Sequence, residues 1–194
     1  SGQIEALKSP SPNVRELGRA RLEKAGKQSI PAVRKLLTHP NSFIQGRAIW
    51  LLAKLGSEGL KIVEDQLTHK DEMIRICAFR ALRHENHRIL KHSAKMAKDP
   101  SPSVRREVAL AMRYQPFDKA RDILLEIAKG YDGEDRYYVE AFGIGCTDKE
   151  EKIYADLKQH LGTKKYDPRY AGLVWRLHTA SSASEIKSWV LDEN

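Results

Sequence analysis

Three histidines, His84, His87 and His92, stand close together, at spacings of three and five residues. Imidazoles in such a group could hold a divalent cation. A zinc site, however, closes with three or four ligands in fixed geometry, and these spacings impose none. Arg83-His84-Glu85-Asn86-His87 reads instead as a solvated loop at a helix end, and no metal is expected. A second set is basic. Arg15, Arg75, Arg105 and Arg136 each follow a turn, and a row of guanidinium groups could grip phosphates. Asp71, Asp99 and Asp132 stand shortly before three of them. That favours a structural ladder, in which each arginine bonds turn carboxylates and carbonyls of neighbouring units. Gln45 interrupts the row.

A third set mixes one aromatic with cations: Trp50 with Arg80, Arg83, Arg106 and Arg113. On one face these would form a basic groove with an aromatic platform. Such a groove suits an acidic peptide, a carboxylate-rich surface or a nucleic-acid backbone. Equally, Trp50 could pack between helices and leave the arginines solvated. Tyr131, Tyr137, Tyr138, Phe142 and Trp175, with Asp132, Asp135 and Glu140, form an aromatic and acidic cluster. It reads either as a recognition or docking surface or as an enlarged core. Tyr138, Phe142 and Gly145 share a helix face, so part of the cluster is expected to be core.

Catalytic patterns are absent. The chain has no glycine-rich phosphate loop, no Gly-x-Ser-x-Gly elbow and no paired-histidine metal helix. Cys77 and Cys146 each lie in an apolar helical pattern and read as buried free thiols. No cofactor is expected. The 194 residues carry 34 Lys plus Arg against 26 Asp plus Glu, a net charge of +8. That balance leaves nucleic acid or an acidic protein open as partner. No apolar run reaches the length of a membrane span.

What positions these residues is a repeat. Val14, Ile44, Ile74 and Val104 are thirty residues apart. Four residues on come Gly18, Ala48, Ala78 and Val108, and eight on come Leu22, Leu52, Leu82 and Met112. These offsets lie on one helix face. Between them a second set steps by the same thirty: Val33, Val63, Ser93 and Ile123, then Leu37, Leu67, Ala97 and Ile127. Each unit is therefore two amphipathic helices. Ser9-Pro10-Ser11-Pro12, His39-Pro40-Asn41-Ser42 and Asp99-Pro100-Ser101-Pro102 stop one helix and cap the next, and Gly26 and Gly56 end helices. A fixed period of this size predicts an all-α, right-handed α-α superhelix, a solenoid of about six antiparallel helix pairs.

One domain is expected over 1–194, with regular repeats over 9–115 and looser ones over 116–180. There Asp118–Lys129, Asp135–Gly145, Lys149–Leu161 and Pro168–Leu177 read as helices. The segment 181–194 starts a further, truncated repeat behind the capping box Ser182-Ala-Ser-Glu185. Ser1-Gly2 reads as a tag remnant and LDEN stops in mid-pattern, so the chain is expected to be a fragment of a larger protein.

The phrase DPSPSVRREVALAM, with Val104-Arg105 behind its Asp-Pro turn, resembles a HEAT repeat. The short unit is similar to the subclass of the phycobilisome lyases. YDGEDRYYVEAFGIG (Tyr131–Gly145) with VWRLH (Val174–His178) resembles the HEAT region of large bacterial multidomain proteins. Those are labelled membrane-bound dehydrogenases, carry a β-propeller and a c-type haem domain, and are exported. The resemblance implies an exported or periplasmic setting. The haem motif Cys-x-x-Cys-His is missing, so neither haem nor redox chemistry is expected in this chain, and no catalytic residue carries over. The function expected is a non-enzymatic scaffold or protein-interaction module. Its partners would be neighbouring domains of the same polypeptide or an acidic protein. The alternative is nucleic-acid binding through the basic groove, as in HEAT-like alkylpurine DNA glycosylases. A lyase- or chaperone-type role on a prosthetic group rests on the lyase resemblance alone.

Overall fold

The computed structural model describes residues 2–162 and 166–191. Ser1 of the expected tag remnant and the last three residues of LDEN lie outside them. The described residues hold thirteen α-helices and no strand, joined by turns and short 3-10 segments. The chain is an α-α solenoid in its fold class, divided into two compact units, 1–89 and 90–194.

The first unit contains α1 (Gly2–Lys8), α2 (Pro12–Ala25), α3 (Ile30–Arg34), α4 (Ser42–Lys54), α5 (Gly56–Asp65) and α6 (Glu72–His84). Its helix starts follow from the turns. Asn41 and Asp71 accept hydrogen bonds from the backbone N–H groups of Phe43 and Met73. Pro12 takes the first helical position of α2, where its missing N–H costs nothing. Gly26 ends α2 at φ 59°, a conformation an L side chain resists. α4 packs between α2 and α6, and α5 lies against α4 and α6. Along α4 and α6 the thirty-residue register is buried at every expected position: Ile44, Ala48, Leu52, Ile74, Ala78 and Leu82. Val14 differs, being 44% exposed. The helix beside it, α1, spans seven residues. It meets α2 at Gly18, whose missing Cβ would lie 2.8 Å from that of Ala6, and leaves Val14 open.

The second unit takes up the chain within α7 (Ile89–Met96) and continues through α8 (Pro102–Ala111), α9 (Phe117–Lys129), α10 (Arg136–Gly145), α11 (Glu150–Leu161), α12 (Pro168–Leu177) and α13 (Ala183–Leu191). α10 packs between α8 and α12, and α11 lies against α9 and α12, so the pairs again form two layers. Val104, Val108 and Met112 are buried on the first layer, with Ile123 and Ile127 on the second. Arg121 binds Asp156 through two bonds, 2.8 and 2.7 Å, tying α9 to α11. The expected capping box does not form as such. The Ser182 hydroxyl donates to the Thr179 carbonyl, and Glu185 accepts from Tyr154 (2.6 Å) and Tyr170 (3.3 Å), which anchors α13.

Candidate functional site

The arginine rows resolve into two kinds of contact. Arg15 donates to the carbonyls of Ser9 and Pro10, Arg75 to those of His69 and Lys70, and Arg105 to those of Asp99 and Pro100. Each guanidinium thus ties down the turn that opens its own helix. The turn aspartates receive backbone N–H groups: Asp71 from Met73, Asp99 from Ser101, Asp132 from Glu134 and Asp135. Gln45 does not interrupt the series, because its amide donates to the His39 carbonyl at 2.6 Å. Arg136 is out of register. Asp135 caps α10 at Tyr138, so Arg136 is the first residue of the helix and exposed, and Val139 holds the position equivalent to Arg105. Arg105 also reaches a neighbouring pair, donating to the Gly130 carbonyl (2.8 Å) and the Tyr138 hydroxyl (2.9 Å).

The residues expected to make a basic groove fall in both units. In the second, Arg106 meets Asp135 at 3.3 Å and lies over the Tyr137 ring, which compensates its charge. Arg113 lies over the exposed ring of Tyr114. In the first, Arg80 is exposed and Arg83 half-buried. Trp50 stands edge-on to His84, with ring centroids 5.6 Å apart. His84 also meets Glu85, and His87 meets Glu64, each at 2.8 Å. His92 is buried on α7 rather than in a solvated loop. Within the aromatic cluster Tyr131, Tyr138 and Phe142 are core, Tyr131 and Tyr138 stack at 5.6 Å, and Tyr137 and Trp175 are exposed.

Trp50 belongs to a different groove from the one its arginine spacing suggested. A hollow of about 750 Å³ runs across α2, α4 and α6 within the first unit. Its apolar wall is Phe43 (76% exposed), Trp50 (38%) and Met73 (59%). Its polar wall is Arg15, Glu16, Arg19 and Arg47. Arg19 is held by Glu16 at 2.6 Å and by Glu23. Arg47 donates to the carbonyls of Leu7 (3.1 Å) and Ser9 (3.5 Å). The sequence carried a signal for this wall. The position just before the repeat's Val/Ile is polar in Asn13 and Ser103 but apolar in Phe43 and Met73. A large apolar residue beside an N-cap, off the buried face, marks a surface rather than a core.

Cys77 also lines the hollow. Its thiol faces the Gly46 carbonyl at 3.9 Å, and burial raises its pKa, against the charge of Arg80 and the Trp50 N–H. Cys146 is fully buried, and burial raises its thiol much further. Iodoacetamide on the folded chain is therefore expected to label Cys77 and spare Cys146, as peptide mass mapping would show. The labelling rate should keep climbing with pH where an ordinary thiol has levelled off, because only the thiolate reacts. Equal labelling of both would contradict the burial of Cys146.

Residues 2–83 match the family model described as HEAT repeats. No curated protein matches. Among solved structures, an engineered protein from the Northeast Structural Genomics Consortium is 15% identical, covering 96% of each chain with a TM-score of 0.42. A designed armadillo repeat protein in complex with the peptide (KR)4 is 14% identical, covering 91% of this chain and 98% of that one with a TM-score of 0.45. No helix among the described residues is long and apolar enough to cross a membrane.

Proposed function

We propose that the chain is a protein-interaction module whose first unit holds a segment of a partner protein across α2, α4 and α6. The observation that carries this reading is the exposure of Phe43, Trp50 and Met73 along one hollow. Three large apolar side chains held open to water on adjacent helices are costly unless something covers them. A stack of helix pairs suits such a role, since successive repeats build an extended binding surface. Neighbouring domains of a larger exported protein, the setting implied by the resemblance of Tyr131–Gly145 and Val174–His178, are one source of that segment. No catalytic step enters this reading, because the carboxylates and arginines of the hollow are engaged with one another or with backbone carbonyls.

The test is a selection of random displayed peptides on the immobilised chain, repeated on Phe43→Ser/Trp50→Ser. Sequences recovered on the native chain and lost from the variant are expected. Sequences recovered equally from both would overturn the reading.

The net charge of +8 favours a second reading, a nucleic-acid surface. Against it, Arg19 and Arg106 are already paired with carboxylates. Titration with labelled duplex and single-stranded DNA at two salt concentrations separates the two. Phosphate contacts would show as tight binding that falls steeply with salt, and the expected result is none.

A further inference from the structure

The groove in the first unit is not uniformly apolar. Arg15 and Arg47, from α2 and α4, both line it and both donate to the same atom, the Ser9 carbonyl oxygen, at 3.1 and 3.5 Å. Two guanidinium groups thus converge on one neutral acceptor. Among the described residues neither is paired with a carboxylate. Glu16, the acidic residue among those lining the groove, is taken by Arg19. Burial and the charge of Arg15 both lower the pKa of Arg47, which is the mark of a cation whose surroundings do not compensate it.

We propose that the occupant of this groove is an acidic, extended peptide segment, with one carboxylate seated between Arg15 and Arg47 and a bulky apolar side chain against Phe43, Trp50 and Met73. The proposal rests on the interaction reading above and names its ligand. A carboxylate there would take charge-assisted bonds from two donors at once, the arrangement arginine serves best. The spacing follows from the stack. Adjacent helices lie about 8–10 Å apart, and an extended chain in the polyproline II form advances about 3.1 Å per residue with about three residues per turn, so the acidic and apolar residues of the ligand face the groove together when they stand about three apart. A helical ligand advances only about 1.5 Å per residue and needs roughly twice as many for the same step.

The fold itself supplies a variant that removes the charge without removing the turn. Gln45 occupies in the second repeat the position of Arg15 and bonds the His39 carbonyl six residues back, as Arg15 bonds that of Ser9. Arg15→Gln is therefore compatible with the helix start, and Arg47→Gln leaves an uncharged amide at that position of α4.

The probes are a short labelled peptide with glutamate and leucine three residues apart, its glutamine copy, and a short single-stranded DNA. Binding is read by anisotropy and by slowed alkylation of Cys77, which lies in the same groove. The glutamate peptide is expected to bind and to protect Cys77. The glutamine copy should bind about tenfold more weakly, and Arg15→Gln/Arg47→Gln should erase that difference. If the glutamine copy binds the native chain as tightly, the charge inference is overturned while the interaction reading stands. If neither peptide binds or protects Cys77, both fall. If only the DNA protects Cys77, the ligand is a phosphate backbone and the inference is overturned.

Discussion

Replacing Gly145 by alanine is expected to destabilise the second unit by about 3 kcal/mol, read as a lower denaturant midpoint at unchanged slope. A Cβ on Gly145 would lie 2.4 Å from the Ala109 carbonyl oxygen and 3.0 Å from Leu124 Cδ2. The first of these is backbone, which cannot turn aside as a side chain can. α10 would have to part from α8 along a contact that includes the buried Tyr138 and Phe142. Helix propensity alone favours alanine over glycine by about 1 kcal/mol, so the sign of the result decides which effect wins. The control is Gly46→Ala in α4. Its Cβ would meet only the Cys77 sulfur, at 3.6 Å, an ordinary contact. That variant should gain about 0.5–1 kcal/mol. One chemical change, made at two helical glycines, is expected to move stability in opposite directions. If Gly145→Ala proves neutral, the close approach of α8 and α10 is not as described.

The fold was legible because one constraint repeats. A thirty-residue period in which three offsets stay apolar leaves few arrangements other than stacked pairs, and α4, α6 and α8 bury all three offsets. Val14 departs from it because burial depends on what lies opposite, and a helix of seven residues stands there. The candidate site was legible in part. Trp50 was found by its place in the repeat, but its partners were sought one and two repeats on, at Arg80 and Arg113. The wall is completed by Phe43, Arg47 and Met73, because helix rotation decides which offset faces the hollow, and a periodic pattern does not show that rotation. Arg136 illustrates a second limit. The spacing lengthens through Asp132-Gly133-Glu134-Asp135, where Gly133 turns at φ 97° and Asp132 accepts two backbone N–H groups. Counting from the turn's first aspartate misplaces everything behind it, whereas counting from the cap, Asp135, does not. Gln45 illustrates a third. A break in charge was legible, but the unbroken hydrogen bond was not, since an amide and a guanidinium reach a carbonyl equally well.

Arg105→Met is expected to cost about 3 kcal/mol, whereas Arg15→Gln should fall within about 0.5 kcal/mol of the native chain. Both arginines occupy the same repeat position, so the difference lies in what they reach. Arg15 bonds only its own turn, a task glutamine performs in the next repeat. Arg105 bonds its turn, the Gly130 carbonyl and the Tyr138 hydroxyl, and its guanidinium lies 5.3 Å from the Tyr138 ring centre. The Tyr138 hydroxyl in turn donates to the Ile127 carbonyl at 2.7 Å. Methionine fills the space but leaves several half-buried acceptors without a donor, and such groups cost more than the bonds themselves contributed. Arg105→Gln separates the parts. It can keep the turn bond and lose the reach to Gly130 and Tyr138, so it should fall between the other two. Combined with Tyr138→Phe, it should destabilise by less than the sum of the single changes, with a coupling of about 1 kcal/mol, because both remove the same bond. Full additivity would mean that Arg105 does not act through the Tyr138 hydroxyl. Its reach beyond the turn would then rest on the Gly130 carbonyl, and the stacking of α10 on α8 would rest on apolar packing without the Arg105–Tyr138 bond.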